Sequence, residues 1–507
     1  MTDNMDSATN RPLVQRTIGG FAWSLSSAVL QNLLRLLVVM FLARLLSPAD
    51  FGVISAALVV VNLAIIFSWI GVGPAIVQLP ALEPSHIRTG FSISTLFGLL
   101  VGGAVYLLAP AIAHLFRIPE VTEVLRVLSI IFPISALAVV SESLLRRDLQ
   151  FHKLAVAEAS SYGLCYGIIS ILLGWAGFGY WSLVGAVIAQ HTVRTLMLIM
   201  MQPHSWRPRL ELRASKDLLH FGAGLTSAQI LNFLALQGDN FVVGRWLGAA
   251  ALGFYSRAYV MMSVPNKVLG ETLNSVLFPT MARVQEEPER LKSAFRRGIA
   301  GANMITLPLT MACLILAPEL IHVALGPGWD QVIRPFQILT LGMFFRTGYK
   351  LGGTVSQAVG AVYANARRQA VYAFLIIGGA GIGQHWGLEG VALGVLGALF
   401  VMFVIMSQLG IKLTSLTWGE FLQAHLPALR YTALMAGGLW VLVEVLRAYD
   451  LPALAVLGIS LVVFLVSPII MVRWCRTFFL GADGLWLYEA GLRFLRPKKN
   501  LAVNPTH

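Results

Sequence analysis

The stretches FGVISAALVVVNLAIIFSWIGVG, from Phe51, and GVALGVLGALFVMFVIMSQLG, from Gly390, contain no charged residue at all. An α-helix needs a run of about 20 apolar residues to cross the hydrocarbon of a bilayer. There every backbone N–H and C=O must find its partner within the protein, which leaves helices, or a closed barrel, as the only spanning forms. Runs of helical length recur near 18–43, 51–77, 90–115, 121–145, 153–176, 179–201, 218–244, 251–280, 297–324, 330–360, 365–384, 388–412, 430–448 and 453–474. The predicted fold is therefore an all-α polytopic membrane protein of about 14 transmembrane helices. The short connections leave no room for a large extramembrane domain.

Composition excludes the alternatives. Of 507 residues, 57% are hydrophobic and only 12% are charged, against about a quarter charged in a soluble domain. The net charge of +13 comes from basic residues spread over short loops, so no nucleic-acid partner is expected. Cys165, Cys313 and Cys475 all sit in apolar runs. They give neither a disulfide framework nor metal-ligand spacing, and no cofactor or metal is expected. The start, MTDNMDSATNRPLVQR, lacks the apolar core of a cleaved signal peptide.

Basic residues set the expected orientation. The connections after odd-numbered spans hold Arg44, Arg117, Arg245, Arg334 and Arg447 and little else that is basic. The even-numbered connections hold far more, among them Arg146, Arg147, Lys153, Arg207, Arg209, Arg213, Lys216, Arg283, Arg290, Lys292, Arg296, Arg297, Arg367 and Arg368, and the tail adds Arg493, Arg496, Lys498 and Lys499. The positive-inside rule then puts both termini in the cytoplasm, with the tail stretch GLWLYEAGLRFLRPKK as an amphipathic helix on the inner membrane surface.

The first span and the seventh-to-eighth span region align at a fixed offset. Ser26 falls on Ser227, Arg44 on Arg245, Leu46 on Leu247, Gly52 on Gly253, Ser55 on Ser256, Ala57 on Ala258 and Val59 on Val260. The polar and glycine identities carry the alignment, since apolar ones arise by chance in such a sequence. Spans one to six and seven to twelve read as parallel copies of a six-helix unit, two lobes related by a pseudo-two-fold along the membrane normal. The expected organisation is an N-terminal tail (1–17), an N-lobe (18–202), a cytoplasmic linker (203–217), a C-lobe (218–412), two extra helices (413–475) and an amphipathic tail (476–507).

Charges inside the spans mark the expected site, because a charge at the bilayer centre is costly and turns to a cavity or a partner. The deep candidates are Arg35, Glu158, Arg194, Asp239, Arg257, Lys267, Glu271, Arg346 and Lys350. Basic members outnumber acidic ones, so the cavity they line should favour an anion. Arg346 and Lys350 are four apart and share a helix face, as do Lys267 and Glu271, which also suit a simple pair with each other. Arg35, Arg257, Lys267, Arg346 and Lys350 are the expected cargo contacts. Asp239 and Glu271 are the candidates for coupling transport to a proton or sodium ion. Asp239 falls on Val38 in the repeat, one turn from Arg35, so the two residues are also candidates for a pair across a lumen. A snorkelling Arg194 or Arg257 and an interfacial Glu158 are the plainer readings. Trp23, Trp69, Trp175 and Trp181 read as interfacial anchors.

The stretch GRWLGAAALGFYSRAYVMMSVPNKVLGETLNSVLFPTMARVQ, with ARLLSPADFGVISAALVV near the start, resembles Wzx-type polysaccharide flippases, in particular the lipopolysaccharide and colanic-acid branch. These belong to the multidrug, oligosaccharidyl-lipid and polysaccharide exporter superfamily, and the resemblance covers roughly residues 15 to 415. It implies two six-helix lobes around a central cavity in the bacterial inner membrane. It also implies movement of an undecaprenyl-diphosphate-linked oligosaccharide from the cytoplasmic to the periplasmic leaflet, with polysaccharide assembly proteins as partners. No strict site motif carries over.

Three other readings stand beside it. A multidrug exporter of the same superfamily moves mostly cations and calls for an acidic cavity. A membrane-integrated polymerase or ligase needs a catalytic group near a sizeable extracytoplasmic loop, where His385 in GIGQHWGLEG is the main candidate. A scaffold would use the cytoplasmic stretch SWRPRLELRAS.

Overall fold

The computed structural model describes residues 32, 34–69, 71–207, 210–474 and 476–495. The beginning of the first expected span, with Ser26 and Trp23, lies outside these residues, as do Arg209, Cys475 and the end of the tail from Arg496. The described chain is helical, with no strand among the described residues.

Its polarity is inverted relative to a soluble protein. Leu107, Met200 and Phe374 are three-quarters or more exposed, whereas Ser94, Ser141, Thr306 and Thr340 are buried. Large apolar side chains turned outward in such numbers need an apolar surrounding, and this is a multi-pass membrane protein. Seven helices among the described residues are long and apolar enough to cross a bilayer, or eight when Val121–Ala136 and Val139–Arg147, bent by 45°, count as one span. Other expected spans depart from that pattern for local reasons. Ile333–Ala358 carries Arg334, Arg346 and Lys350, and the apolar part of the last span is the shorter Ala453–Pro468.

Two of the continuous helical stretches fold back on themselves. Leu212–Arg283 is broken at Gly248, where φ is 86° and ψ −179°. Only glycine adopts that conformation without strain, and the chain reverses there. Val362–Thr414 reverses around Gln384–Trp386, and the two arms press together so closely that a Cβ at Gly383 would run into the carbonyl of Gly390. Each stretch thus consists of two arms.

The chain divides into two compact units. The first comprises Met1–Val264, Ile321–Leu339 and Gln369–Ala398; the second comprises Pro265–Leu320, Thr340–Arg368 and Leu399–His507. Within the first, Val72, Ile76, Phe91, Val140 and Leu218 form a core cluster. The Pro48–Trp69 helix there meets the helix that follows Gly248. A Cβ at Gly52 would strike the Ala249 carbonyl, a Cβ at Gly253 would strike the Pro48 carbonyl, and Ser55 donates a hydrogen bond to Ser256 at 3.1 Å. Pro48 and Ala249 stand at the same 201-residue offset as the two glycines and the two serines. The two glycine contacts are therefore equivalent under the repeat, and the glycines mark sites of backbone-to-backbone approach.

Within the second unit, Met281, Phe295, Ile299, Leu351, Val355 and Phe421 form one cluster, and Leu316, Tyr431, Leu439 and Phe479 belong to another. Phe479 comes from Arg476–Leu495, the described part of the tail. Asp483 pairs with Arg296 at 2.9 Å, and the Arg297 guanidinium lies 3.9 Å from the centre of the Trp486 ring. One face of the tail helix is thus committed to the protein itself.

Candidate functional site

Arg35 is positioned by small residues. Helical residues 34–42 lie against the Phe151–Trp175 stretch at Gly163 and Gly167: a Cβ on Gly163 would come 3.7 Å from Leu34, and one on Gly167 3.0 Å from Val38. Around those glycines the helix widens into a π-turn, Ser161–Gly167, with sequence SYGLCYG. In an α-helix, side chains four apart are offset by about 40° around the axis. Within this π-turn Tyr162 and Tyr166 stack, with ring centres 4.9 Å apart and planes at 17°. The close approach sets Arg35 over this stack, its guanidinium carbon 5.4 Å from the Tyr162 ring centre.

Arg257 joins the same cluster from the helix after Gly248. Its guanidinium lies 4.6 Å from the Phe51 ring centre, and it acts electrostatically on both Tyr162 and Tyr166, as does Arg35. Its Nε is buried with no hydrogen-bond partner among the described residues. No carboxylate pairs with Arg35 or Arg257 among the described residues. Arg35 thus lies over the Tyr162 ring and Arg257 over the Phe51 ring, with both tyrosines among their neighbours.

Asp239 sits elsewhere in the first unit and is 2% exposed. Its carboxylate accepts hydrogen bonds at 2.8 Å from the Tyr255 hydroxyl and from the Asn240 backbone N–H. Residues 16 apart lie about 24 Å from each other along a straight helix, so this bond ties the two arms of the Gly248 hairpin together. Among the described residues no ion pair joins Arg35 to Asp239. The hairpin supplies Asp239 with Tyr255, and the approach at Gly163 and Gly167 supplies Arg35 with Tyr162.

The other four expected residues come together in the second unit. Lys350 donates to Asn266 at 3.5 Å, and its neighbours in charge are Arg346, Glu271 and Lys267. Gly270 makes room for it, since a Cβ there would lie 3.1 Å from Nζ. Lys267 and Glu271 form a loose ion pair of 3.9 Å, with side chains 52% and 44% exposed, so the pair is accessible and weak. Asn266 also donates to the Met343 carbonyl at 3.2 Å, and Thr354 donates to Asn274 at 2.7 Å. This gives a second polar cluster of three cations and one carboxylate.

Arg194 and Glu158 are structural partners. Arg194 bonds Glu158 at 2.7 Å and Glu142 at 3.0 Å, and Arg146 bonds Glu142 at 2.7 Å. Sequence reasoning overlooked Glu142, at the end of an expected span, and the two tyrosines. The signal for the tyrosines was present in SYGLCYG: two tyrosines four apart, each beside a glycine, inside an otherwise apolar span.

The family described as "Polysaccharide biosynthesis protein" matches residues 41–334. The chain belongs to this family. The resemblance to Wzx-type polysaccharide flippases is borne out by its relatives. Lipopolysaccharide biosynthesis protein WzxC of Escherichia coli strain K12 is 27% identical over 393 residues, 76% of this chain and 78% of that protein. Succinoglycan biosynthesis transport protein ExoT of Rhizobium meliloti strain 1021 is 29% identical over 337 residues, 66% of this chain and 67% of that protein. Among solved structures, lipid II flippase MurJ in an inward closed conformation superposes with a TM-score of 0.69 at 14% identity, covering 91% of this chain and 99% of the other. An inward-facing multidrug resistance MATE family transporter of the MOP superfamily superposes at 0.59 with 18% identity, covering 76% and 95%. Both share the fold of this family member.

Proposed function

We propose that the protein flips an undecaprenyl-diphosphate-linked oligosaccharide from the cytoplasmic to the periplasmic leaflet of the bacterial inner membrane. The observation that carries this reading is the Arg35–Arg257 cluster. Two guanidiniums in membrane helices lie against aromatic rings with no carboxylate partner among the described residues. An unneutralised charge is costly in such a place, and an anionic ligand offsets that cost. A diphosphate is strongly hydrated and cannot enter hydrocarbon alone. Guanidiniums match phosphate oxygens two at a time and replace that hydration, while the prenyl tail remains in lipid. The names of the E. coli and R. meliloti relatives, a lipopolysaccharide biosynthesis protein and a succinoglycan biosynthesis transport protein, support a glycan as cargo.

The molecule works as a transporter and not as an enzyme. Its 14 spans form an N-lobe (18–202) and a C-lobe (218–412) joined by the cytoplasmic linker 203–217, with two extra helices (413–475) and a cytoplasmic tail (476–507) following. Both termini are cytoplasmic. Rocking of one repeat against the other exposes the cavity to each side in turn. Lys267, Arg346 and Lys350 form the second cargo-binding cluster. Asp239 or Glu271 couples transport to protons or sodium ions, and polysaccharide assembly proteins receive the product.

The test is reconstitution into liposomes with an undecaprenyl-diphosphate oligosaccharide, whose exposure on the far leaflet is read with a membrane-impermeant glycosidase. Protein-dependent exposure that Arg35→Gln or Arg257→Gln lowers at least about tenfold supports the reading. Glycan extension or transfer to a new acceptor in the same vesicles would replace flipping with polymerase or ligase activity. Efflux of a cationic dye without lipid movement would replace it with multidrug export.

A further inference from the structure

The diphosphate reading leaves the Tyr162–Tyr166 stack unused, and its hydroxyls are unusual. A buried phenol hydroxyl generally finds a hydrogen-bond partner. The buried Tyr255 has Asp239 at 2.8 Å, and Tyr431 has Ser467 at 3.5 Å. Tyr162 is buried to 8% exposure, yet neither its hydroxyl nor that of Tyr166 bonds to any described residue. The two rings are stacked, and their charged neighbours are Arg35 and Arg257.

The turn that aligns them is a departure from α-helical geometry. A π-turn is rare and tends to occur at functional sites. Here the turn carries two stacked phenol rings, each with a hydroxyl that can donate and accept. Phosphate alone would need cations only. Adjacent hydroxyls that both donate and accept match adjacent hydroxyls on a pyranose ring.

We propose that Tyr162 and Tyr166 read the sugar attached directly to the diphosphate, and so set which lipid-linked glycans enter. This rests on the flippase reading above and adds a specificity element to it. Arg35 and Arg257 hold the diphosphate whatever the glycan, and the two hydroxyls bond the ring hydroxyls of the first sugar. A pocket built to hydrogen-bond a hydroxyl discriminates against ligands that lack it more sharply than an apolar pocket does.

The experiment uses the full chain in lipid nanodiscs. Binding is measured for undecaprenyl diphosphate and for the same lipid carrying glucose, galactose or N-acetylglucosamine. The wild type should bind its preferred sugar-bearing probe about tenfold more tightly than the bare diphosphate. Tyr162→Phe with Tyr166→Phe keeps the rings and their stack, so it should erase that increment while leaving affinity for undecaprenyl diphosphate unchanged. Tyr166→Phe alone should change the order of preference among the three sugars. Arg35→Gln should weaken all probes alike. An increment that survives the double variant, equal losses for bare and sugar-bearing lipid, or a wild type indifferent to the sugar would each overturn the assignment while leaving the diphosphate reading intact. A wild type that binds none of the lipids would overturn that reading and the assignment together.

Discussion

Ser55 and Ser256 share a hydrogen bond of 3.1 Å and stand 201 positions apart, the offset of the internal repeat. Two positions that the sequence offset makes equivalent are thus in direct contact. Gly52 and Gly253 flank it with reciprocal contacts to Ala249 and Pro48. Ser55→Cys with Ser256→Cys should therefore form an intramolecular disulfide on oxidation. Cleavage in the 203–216 linker would give fragments that stay joined until reduced. If rocking of the two proposed repeats parts this contact, export should stop in the oxidised protein and return on reduction. Export that continues with the crosslink formed would make the contact a fixed pivot.

The glycines on either side make a separate claim about stability. Gly52→Ala and Gly253→Ala each place a methyl group against a backbone carbonyl that cannot turn aside. Each should destabilise by about 1–3 kcal/mol, the range for overpacking, read as a lowered thermal midpoint in detergent. The open control is Gly103, where an added Cβ meets nothing within 4 Å. Gly103→Ala should be neutral or slightly stabilising. Thermal midpoints that fall equally in all three variants would remove the close approach as the cause.

Tyr255→Phe should cost about 1.5–3 kcal/mol, the range for a hydrogen bond to a charged group. Asp239→Asn keeps an oxygen to accept from Tyr255 and should cost less. The swap Arg35→Asp with Asp239→Arg should rescue nothing, because each residue has its own aromatic partner. Recovery of export by the swap would show that the two residues meet at some stage of the cycle. If Asp239 carries the coupling ion, Asp239→Asn should still bind lipid-linked glycan while export loses its dependence on the ion gradient.

The features legible in the sequence are those fixed by local chemistry. Apolar runs dictate helices in lipid, and Gly52, Gly253 and Ser55 kept their identity in the repeat where backbones touch. Arg346 with Lys350, and Lys267 with Glu271, could each be set on one helix face because their spacing fixes it. Pairing across helices could not be read the same way. Asp239 met Tyr255 and not Arg35 because the chain reverses at Gly248, and a glycine between apolar residues does not announce a reversal. The Tyr162–Tyr166 stack lies in a π-turn packed against residues 34–42, and Arg194 needs Glu142 from another helix. Both depend on packing partners far away in sequence.

Glu271 offers a test that separates cargo binding from ion coupling in the second unit. Among the described residues it is a charged neighbour of Lys350 of opposite sign. Glu271→Gln raises the positive charge of that cluster, so affinity for an anionic lipid should be maintained or increased. If Glu271 couples the ion, the same variant should export at a rate independent of the gradient. Lys350→Gln should do the reverse, weakening lipid binding about tenfold while gradient dependence persists. Identical behaviour of the two variants would merge the roles.

The linker carries a pH dependence of its own. His204 packs edge-on to Phe91, with ring centres 5.3 Å apart, and stacks on Trp206 at 6.3 Å. Its Nδ1 meets the Ser141 hydroxyl at 3.0 Å, while its Nε2 is buried with no partner among the described residues. Burial holds its pKa below the ordinary histidine range. The neutral ring is therefore the form that docks, and protonation would create a buried N–H with nothing to accept it. The stabilisation is complete above the ordinary value of about 6.5, declines as the pH falls below it, and is lost once the pH passes the lowered value of the docked ring. Limited proteolysis within 203–216 should accelerate as the pH falls below about 6.5. His204→Phe keeps the aromatic contacts without the titration, so cleavage of that variant should be slow and nearly independent of pH. An equally steep pH profile in His204→Phe would place the titrating group elsewhere.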